Sequence, residues 1–297
     1  MWKRSSLLFL IPCLAIAVVL LTLPRREPEP KYQGHSLSYW LFLSERDPLS
    51  KDAAKAVSEI GTNALPLLMQ WIRYELPPWR KKLAKGNNSL LQGLVRPFLP
   101  TKRELLADAT QYAFRILGTN AASAIPELTG LMRDTSARQT AIGAMGALSL
   151  MRTNGLAPLI SAIQDPQYPL RIWAVTSITY MPSTPTSATI TTPLLIQCLS
   201  DTANSQVPLM AAIGLGRHNS APQLSIPALT RCLETPGASE LLRGAAVQSL
   251  GLFGAQATNA LPALTNALAD ASLTVRRAAT NALQQITSEP PTNTPAP

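Results

Sequence analysis

Aromatic residues are scarce in this chain of 297 residues, at 5% of the total, and there are only two histidines and three cysteines. With few large rings, the core must be filled by alanine and leucine. That balance favours helices packed closely on helices over a β-rich fold. The two histidines, His35 and His218, are followed by serine and asparagine, and no group of His, Asp and Glu has metal-ligand spacing. No Cys-x-x-Cys pair occurs. A glycine-rich phosphate loop and a strand-turn-helix nucleophile motif are also missing, which leaves no residues for the chemistries they serve. No cofactor and no metal is expected, and the chain reads as non-catalytic.

Net charge is uneven. The chain carries +9 overall, but residues 1–31 contribute +3 and residues 73–103 contribute +7, leaving −1 for everything else. A basic chain ordinarily raises nucleic acid as a partner. Here the excess reports one terminus and one insertion, so nucleic acid is not expected.

Against this background six prolines stand out. Pro66, Pro126, Pro158, Pro193, Pro227 and Pro262 each sit in an apolar setting, at steps of 60, 32, 35, 34 and 35 residues. The clearest settings are Ala64-Leu65-Pro66-Leu67-Leu68, Ala124-Ile125-Pro126-Glu127-Leu128 and Ala260-Leu261-Pro262-Ala263-Leu264. A period in this range marks a solenoid whose units cannot bury their apolar faces alone. Each unit reads as two helices. The first begins around the proline, with Asn63, Ser123, Thr191 or Asn259 placed to cap it. A turn acid follows, at Asp134, Asp165, Asp201, Glu234 or Asp270, placed to cap the next helix.

The second helices are rich in alanine and are expected at about Ala53 to Ile60, Leu105 to Leu117, Ala137 to Met151, Leu170 to Tyr180, Val207 to Leu215, Leu241 to Phe253 and Val275 to Ile286. Gly61, Gly118 and Gly254 suit left-handed stops. A degenerate first unit would open with a helix at Leu37 to Leu43, for about seven hairpins in all. Cys198 and Cys232 occupy equivalent slots in neighbouring units. Equivalent helices pack about 8–10 Å apart, whereas a disulfide needs Cα atoms within about 7 Å; two buried core thiols are favoured over a disulfide or metal site.

The stretch Ala260 to Leu264, then Asp270, then Val275-Arg276-Arg277-Ala278-Ala279, resembles the HEAT-repeat pattern, in particular the short bacterial repeats of bilin lyases. The resemblance covers roughly residues 35–288; the last unit matches well, the fourth and fifth loosely, with Val207 where the family has arginine. It implies an all-α, right-handed superhelix. It also implies that Arg138, Arg171, Arg243 and Arg276, which recur at the starts of second helices, pair with turn acids of their own or the next repeat. The other reading of these arginines is a ladder of cations for an anionic partner. HEAT-type hydroxylases use paired His-Glu ligands, which are missing here. HEAT-like DNA glycosylases line a groove with cations and aromatics, and this body is neutral and aromatic-poor. What remains is a protein-binding scaffold; the alternative is a lyase-like or chaperone-type enzyme working in the concave groove.

Two further segments carry expectations. Lys3-Arg4 precede an apolar run from Leu7 to Leu23, and Pro24-Arg25-Arg26 follow. Seventeen residues span about 26 Å as a helix, slightly short of a hydrocarbon core of roughly 30 Å. Residues 1–23 are read as an uncleaved single-pass anchor in preference to a cleaved signal, residues 24–34 as a linker, and the bulk of the chain as extracytoplasmic. The 60-residue step hides a basic insertion at 74–103, where Trp79, Arg80, Lys81, Lys82 and Lys85 are candidate contacts for a protein partner or a membrane surface. The proline-rich tail 289–297 reads as disordered.

Overall fold

A computed structural model of the chain describes residues 28–47, 50–75 and 102–288. Among them fourteen α-helices pair into seven hairpins. The first helices of the hairpins are α1 (Leu37–Arg46), α3 (Leu65–Ile72), α5 (Ile125–Arg133), α7 (Leu156–Gln164), α9 (Pro185–Cys198), α11 (Pro222–Glu234) and α13 (Leu261–Ala267). The second helices are α2 (Lys51–Ile60), α4 (Lys102–Leu117), α6 (Arg138–Leu150), α8 (Arg171–Tyr180), α10 (Gln206–His218), α12 (Glu240–Leu252) and α14 (Leu273–Thr287). Each second helix packs on its own first helix and on the second helix of the next unit, so α2, α4, α6, α8, α10, α12 and α14 form one continuous row. A single apolar cluster runs through the stack from Leu37 to Ile286. The protein is an all-α, HEAT-like solenoid.

Small residues set the spacing of that row. Ala144 and Ala147, Ala174, Ala211 and Ala212, Ala245 and Ala246, and Ala278 and Ala279 are all buried on second helices. Side chains this short let backbones approach closely. Gly216 shows the need: a Cβ there would lie 2.5 Å from Ser249 Oγ and 2.7 Å from Ser249 Cα of the neighbouring helix.

Five of the six repeat prolines divide into two groups, and Pro158 is the third residue of α7. Pro66, Pro126 and Pro262 stand in the first turn of α3, α5 and α13, where a missing N–H costs little. In these units a 3₁₀ turn comes first, and it opens on Gly61, Gly118 or Gly254 with φ of 60°, 50° and 54°. Pro193 and Pro227 instead lie inside α9 and α11. Those helices begin earlier, at Pro185 and Pro222, because no glycine or 3₁₀ turn separates the entry from the repeat proline.

The expected caps also differ. Asn63, Ser123 and Asn259 lie within the 3₁₀ turns, whose last residues Ala64, Ala124 and Ala260 precede the helices with no side-chain cap. Thr191 is buried within α9. The turn acids accept within the turn: Asp134 from Ser136 N, Asp165 from Gln167 N, Asp201 from Asn204 N and Asp270 from Ser272 N. The helix caps are Ser50, Thr184, Ser239 and Ser272.

The first unit is closed by a short hairpin. Lys31–Tyr32 and His35–Ser36 pair antiparallel, and Gln33 and Gly34 both take positive φ, as a tight primed turn demands. His35 stacks on Tyr39 with ring centroids 4.2 Å apart and meets Trp40 edge-on at 5.6 Å. Trp40 Nε1 donates to the Tyr32 carbonyl at 3.3 Å. Tyr32, Tyr39 and Trp40 thus cover one end of the stack.

The single-pass membrane placement needs correction. Among the described residues no helix is long and apolar enough to cross a membrane. The longest, α4, has 16 residues and carries Arg103, Glu104, Asp108 and Arg115. The run Leu7 to Leu23, on which the anchor and the extracytoplasmic assignment rested, lies outside the described residues. So do Cys13, the tail 289–297, and Trp79, Arg80, Lys81, Lys82 and Lys85 of the insertion.

Candidate functional site

A solenoid offers two long faces, one per layer of helices, and the second helices form the more closely stacked of the two. The arginines that recur at their starts sort by what they touch. Arg171 pairs with Asp201 of the next unit, and its Nε donates to its own unit's Ile163 carbonyl at 2.7 Å. Arg243 grips Asp270 of the next unit with two bonds, at 2.7 and 2.8 Å, and donates to the Ala238 carbonyl. Arg276 donates to the carbonyls of Asp270 and Ala271. Arg138 instead lies over the Trp173 ring, 6.0 Å from its centroid. Two of the four therefore pair with a turn acid, in each case that of the following repeat. The Arg243 bond is the first cause holding the Asp270 carboxyl below its ordinary value. For Asp201, burial pushes upward, and the Arg171 bond and backbone donors outweigh it.

Between the fifth and sixth units this ion pair is missing. Val207 stands at the arginine position and is fully buried. Other bonds cross this junction and the one before it. Thr179 Oγ1 of α8 donates to the Met210 carbonyl of α10 at 2.9 Å, and Ser249 Oγ of α12 donates to the Ala212 carbonyl at 2.8 Å. At the helix ends His218 Nε2 meets the Ile178 carbonyl at 2.9 Å, and Asn219 Nδ2 donates to the Leu252 carbonyl at 3.2 Å. Last-turn carbonyls lack the usual partner four residues on; the neighbouring unit supplies one to each, and the Ile178 carbonyl also accepts from Met181 N. His218 Nδ1 is buried with no hydrogen-bond partner, and burial lowers the imidazole pKa.

Among the described residues, two grooves bear on these junctions. One, of about 730 Å³, runs along the turn edge between the fifth and sixth units, lined by Asp201, Pro208, Arg231, Cys232, Pro236 and Leu242 among others. It opens where the ion pair is missing. Cys198 and Cys232 are free, buried thiols, and burial raises both, Cys198 to about 11. The second groove, of about 460 Å³, lies on the second-helix face between α12 and α14. Gln248 and Leu252 form one wall, and Arg277, Asn281 and Gln285 the other. Large apolar side chains are exposed along the second helices: Tyr180 (54%), Leu241 (66%), Leu252 (51%) and Leu273 (52%). Arg217 lies over the Tyr180 ring, 4.6 Å from its centroid.

His35 and His218 are far apart in the stack, one in the first unit's hairpin and one at the end of α10. Among the described residues no group of three or more His, Cys, Asp or Glu comes together as metal ligands. Arg217, Arg277 and the three groove amides were not singled out from the sequence. The signal was present in α14, where Thr274, Arg277, Asn281 and Gln285 recur at helical spacing on one stripe.

Residues 226–294 match the family model for HEAT repeats, a region that takes in most of the sixth hairpin and the whole of the seventh. The match supports a HEAT-repeat protein. A solved structure of human deoxyhypusine hydroxylase in complex with glycerol is similar at 16% identity, covering 83% of this chain and 88% of that one, with a TM-score of 0.37. An engineered protein is similar at 16% identity, covering 85% and 78%, with a TM-score of 0.43. No curated protein matches the chain.

Proposed function

We propose that the protein is a non-catalytic scaffold whose second-helix face binds another protein. The observation that carries this reading is the close stacking of the second helices, which holds the exposed Tyr180, Leu241, Leu252 and Leu273 on a rigid layer; the less closely stacked first-helix layer also exposes Tyr39, Ile190, Leu224 and Leu268. Large apolar groups on a rigid surface bind at low ordering cost. HEAT repeats suit this role, and the match over residues 226–294 agrees with it. The finer likeness to bilin-lyase repeats, with lyase-like chemistry in a groove, rests on the pattern of the last repeat alone.

A site-specific photo-crosslinker placed in the full chain tests the proposal. Position 248 faces outward on α12, and position 223 is exposed on α11 of the other layer. In a lysate of its native cell, position 248 is expected to capture a discrete protein band and position 223 none. Capture at 223 alone, or at neither position, would overturn the assignment.

A further inference from the structure

The scaffold reading says which face is used but not what lies on it; the following rests on that reading and specifies the partner. From α6 onward the second helices carry Arg138, Arg171, Arg217, Arg243, Arg276 and Arg277 against one acid, Glu240. Arg171 and Arg243 are neutralised by Asp201 and Asp270. Arg276 is turned onto backbone carbonyls. Arg138, Arg217 and Arg277 remain, all exposed and none in an ion pair among the described residues; Arg138 lies over the Trp173 ring, before Tyr180, which leaves Arg217 and Arg277 as the cations from Tyr180 onward. Arg217 lies over the Tyr180 ring, and Arg277 lines the groove between α12 and α14. In that groove Gln248, Asn281 and Gln285 each offer both a donor and an acceptor, the pair an extended peptide backbone presents. Leu252 and Leu273, both half exposed, add apolar surface along its walls.

We propose that this face, from Tyr180 through Arg217 and Leu252 to Arg277 and Gln285, binds an extended acidic peptide segment of a partner protein. The amides hold its backbone, the two arginines take its carboxylates, and Tyr180, Leu252 and Leu273 receive its apolar side chains. Charge complementarity selects the sign of the partner. Two free cations interleaved with leucine and amide side chains fit a peptide better than a nucleic-acid backbone, which needs a denser run of phosphate contacts. Four second helices packed about 8–10 Å apart make a track of about 30 Å, which an extended chain spans with roughly nine residues.

The test uses the full chain and a fluorescein-labelled peptide of roughly ten residues, made of glutamate and serine with two leucines. Its lysine counterpart and a single-stranded DNA serve as competing probes, with binding read by anisotropy. The glutamate peptide is expected to bind, and Arg217→Glu with Arg277→Glu to weaken it about tenfold or more. Gln248→Ala with Asn281→Ala is expected to weaken it by roughly threefold to tenfold with the salt dependence unchanged. Because Arg217 packs on Tyr180, Arg277→Glu alone serves as the second variant should the double change disturb folding. Equal binding of the lysine peptide, tighter binding of the DNA, or indifference to the arginine changes would overturn the proposal. If the crosslinker at position 248 captures a protein and the glutamate peptide does not bind, the acidic-peptide assignment fails and the scaffold reading stands.

Discussion

The junction between the sixth and seventh units and the junction between the fifth and sixth solve one packing problem in different ways. In the former, Arg243 spans the units to Asp270 with two bonds and closes its own turn through the Ala238 carbonyl. In the latter, Val207 replaces the arginine, and α10 and α12 are held by close backbone approach, Ser249 Oγ on the Ala212 carbonyl, and Asn219 on the Leu252 carbonyl. A repeat position is therefore a set of geometric needs and not a fixed residue. Stacked units must bury apolar surface and satisfy the polar groups at the junction. An ion pair meets the second need from the side; hydroxyls meet it from within the interface. The cost of the second solution is intolerance of bulk, and its by-product is the open groove along the turn edge.

That contrast is broken most severely at Gly216. Replacing it with valine places a Cβ within 2.7 Å of Ser249 Cα, a backbone atom that cannot rotate away. The helices must separate, and Gly216→Val is expected to cost about 2–4 kcal/mol. Urea unfolding checks the total. Hydrogen exchange locates the effect, with protection lost in α10 and α12 and retained in α14 if the units respond to nearest neighbours.

Removing the ion pair tests the other half. Arg243→Ala is expected to cost about 1–2 kcal/mol, since the pair is bidentate and Asp270 is left without its guanidinium partner. Here exchange should rise at the α12–α14 junction and not at α10. An equal loss of protection at both junctions would show that the two do not differ in the way argued above.

A pH titration separates the junctions without mutation. The folded-state pKa of His218 is lowered by burial below the ordinary 6.5, with Arg217 adding repulsion. Its contribution is therefore present above pH 6.5 and lost as pH falls through the lowered value. Asp270 is held below its ordinary 3.8, chiefly by the Arg243 bond. That contribution persists above 3.8 and fades only as pH falls through the depressed value. The junction at α8 and α10 is expected to loosen first on acidification and the α12–α14 junction last. His218→Gln, which keeps a donor for the Ile178 carbonyl and cannot titrate, should flatten the first step. An unchanged profile would remove His218 as its source.

The architecture was legible because it depends on a pattern repeated along the chain. Alanine-rich helical periods located the second helices to within a few residues, as at Arg138–Leu150 and Arg171–Tyr180. Helix entries were harder to read. Pro193 looked like Pro66 in sequence, yet the glycine that starts a 3₁₀ turn before Pro66 has no counterpart before Pro193, so α9 runs straight through. The site was the least legible. Whether an arginine is free depends on what the next unit presents, and only stacking reveals that Arg243 is occupied while Arg277 faces a groove. The hydroxyl bonds of Thr179 and Ser249 were invisible for the same reason, since their acceptors lie 31 and 37 residues away.

The smallest effect concerns the entry to the fourth unit, where a residue with a side chain takes a backbone conformation that glycine takes elsewhere. Gly61, Gly118 and Gly254 open the turns before α3, α5 and α13 with positive φ, and before α7 the same role falls to Arg152, with φ of 58°. A residue bearing a Cβ is strained there, while its exposed side chain contributes little packing. Glycine relieves the strain but adds freedom to the unfolded chain, so the two effects partly cancel. Arg152→Gly is expected to stabilise the protein by about 0.5–1 kcal/mol. Arg152→Ala keeps the Cβ and should yield no such gain, so a urea midpoint that rises equally for both would assign the effect to lost charge and not to backbone conformation.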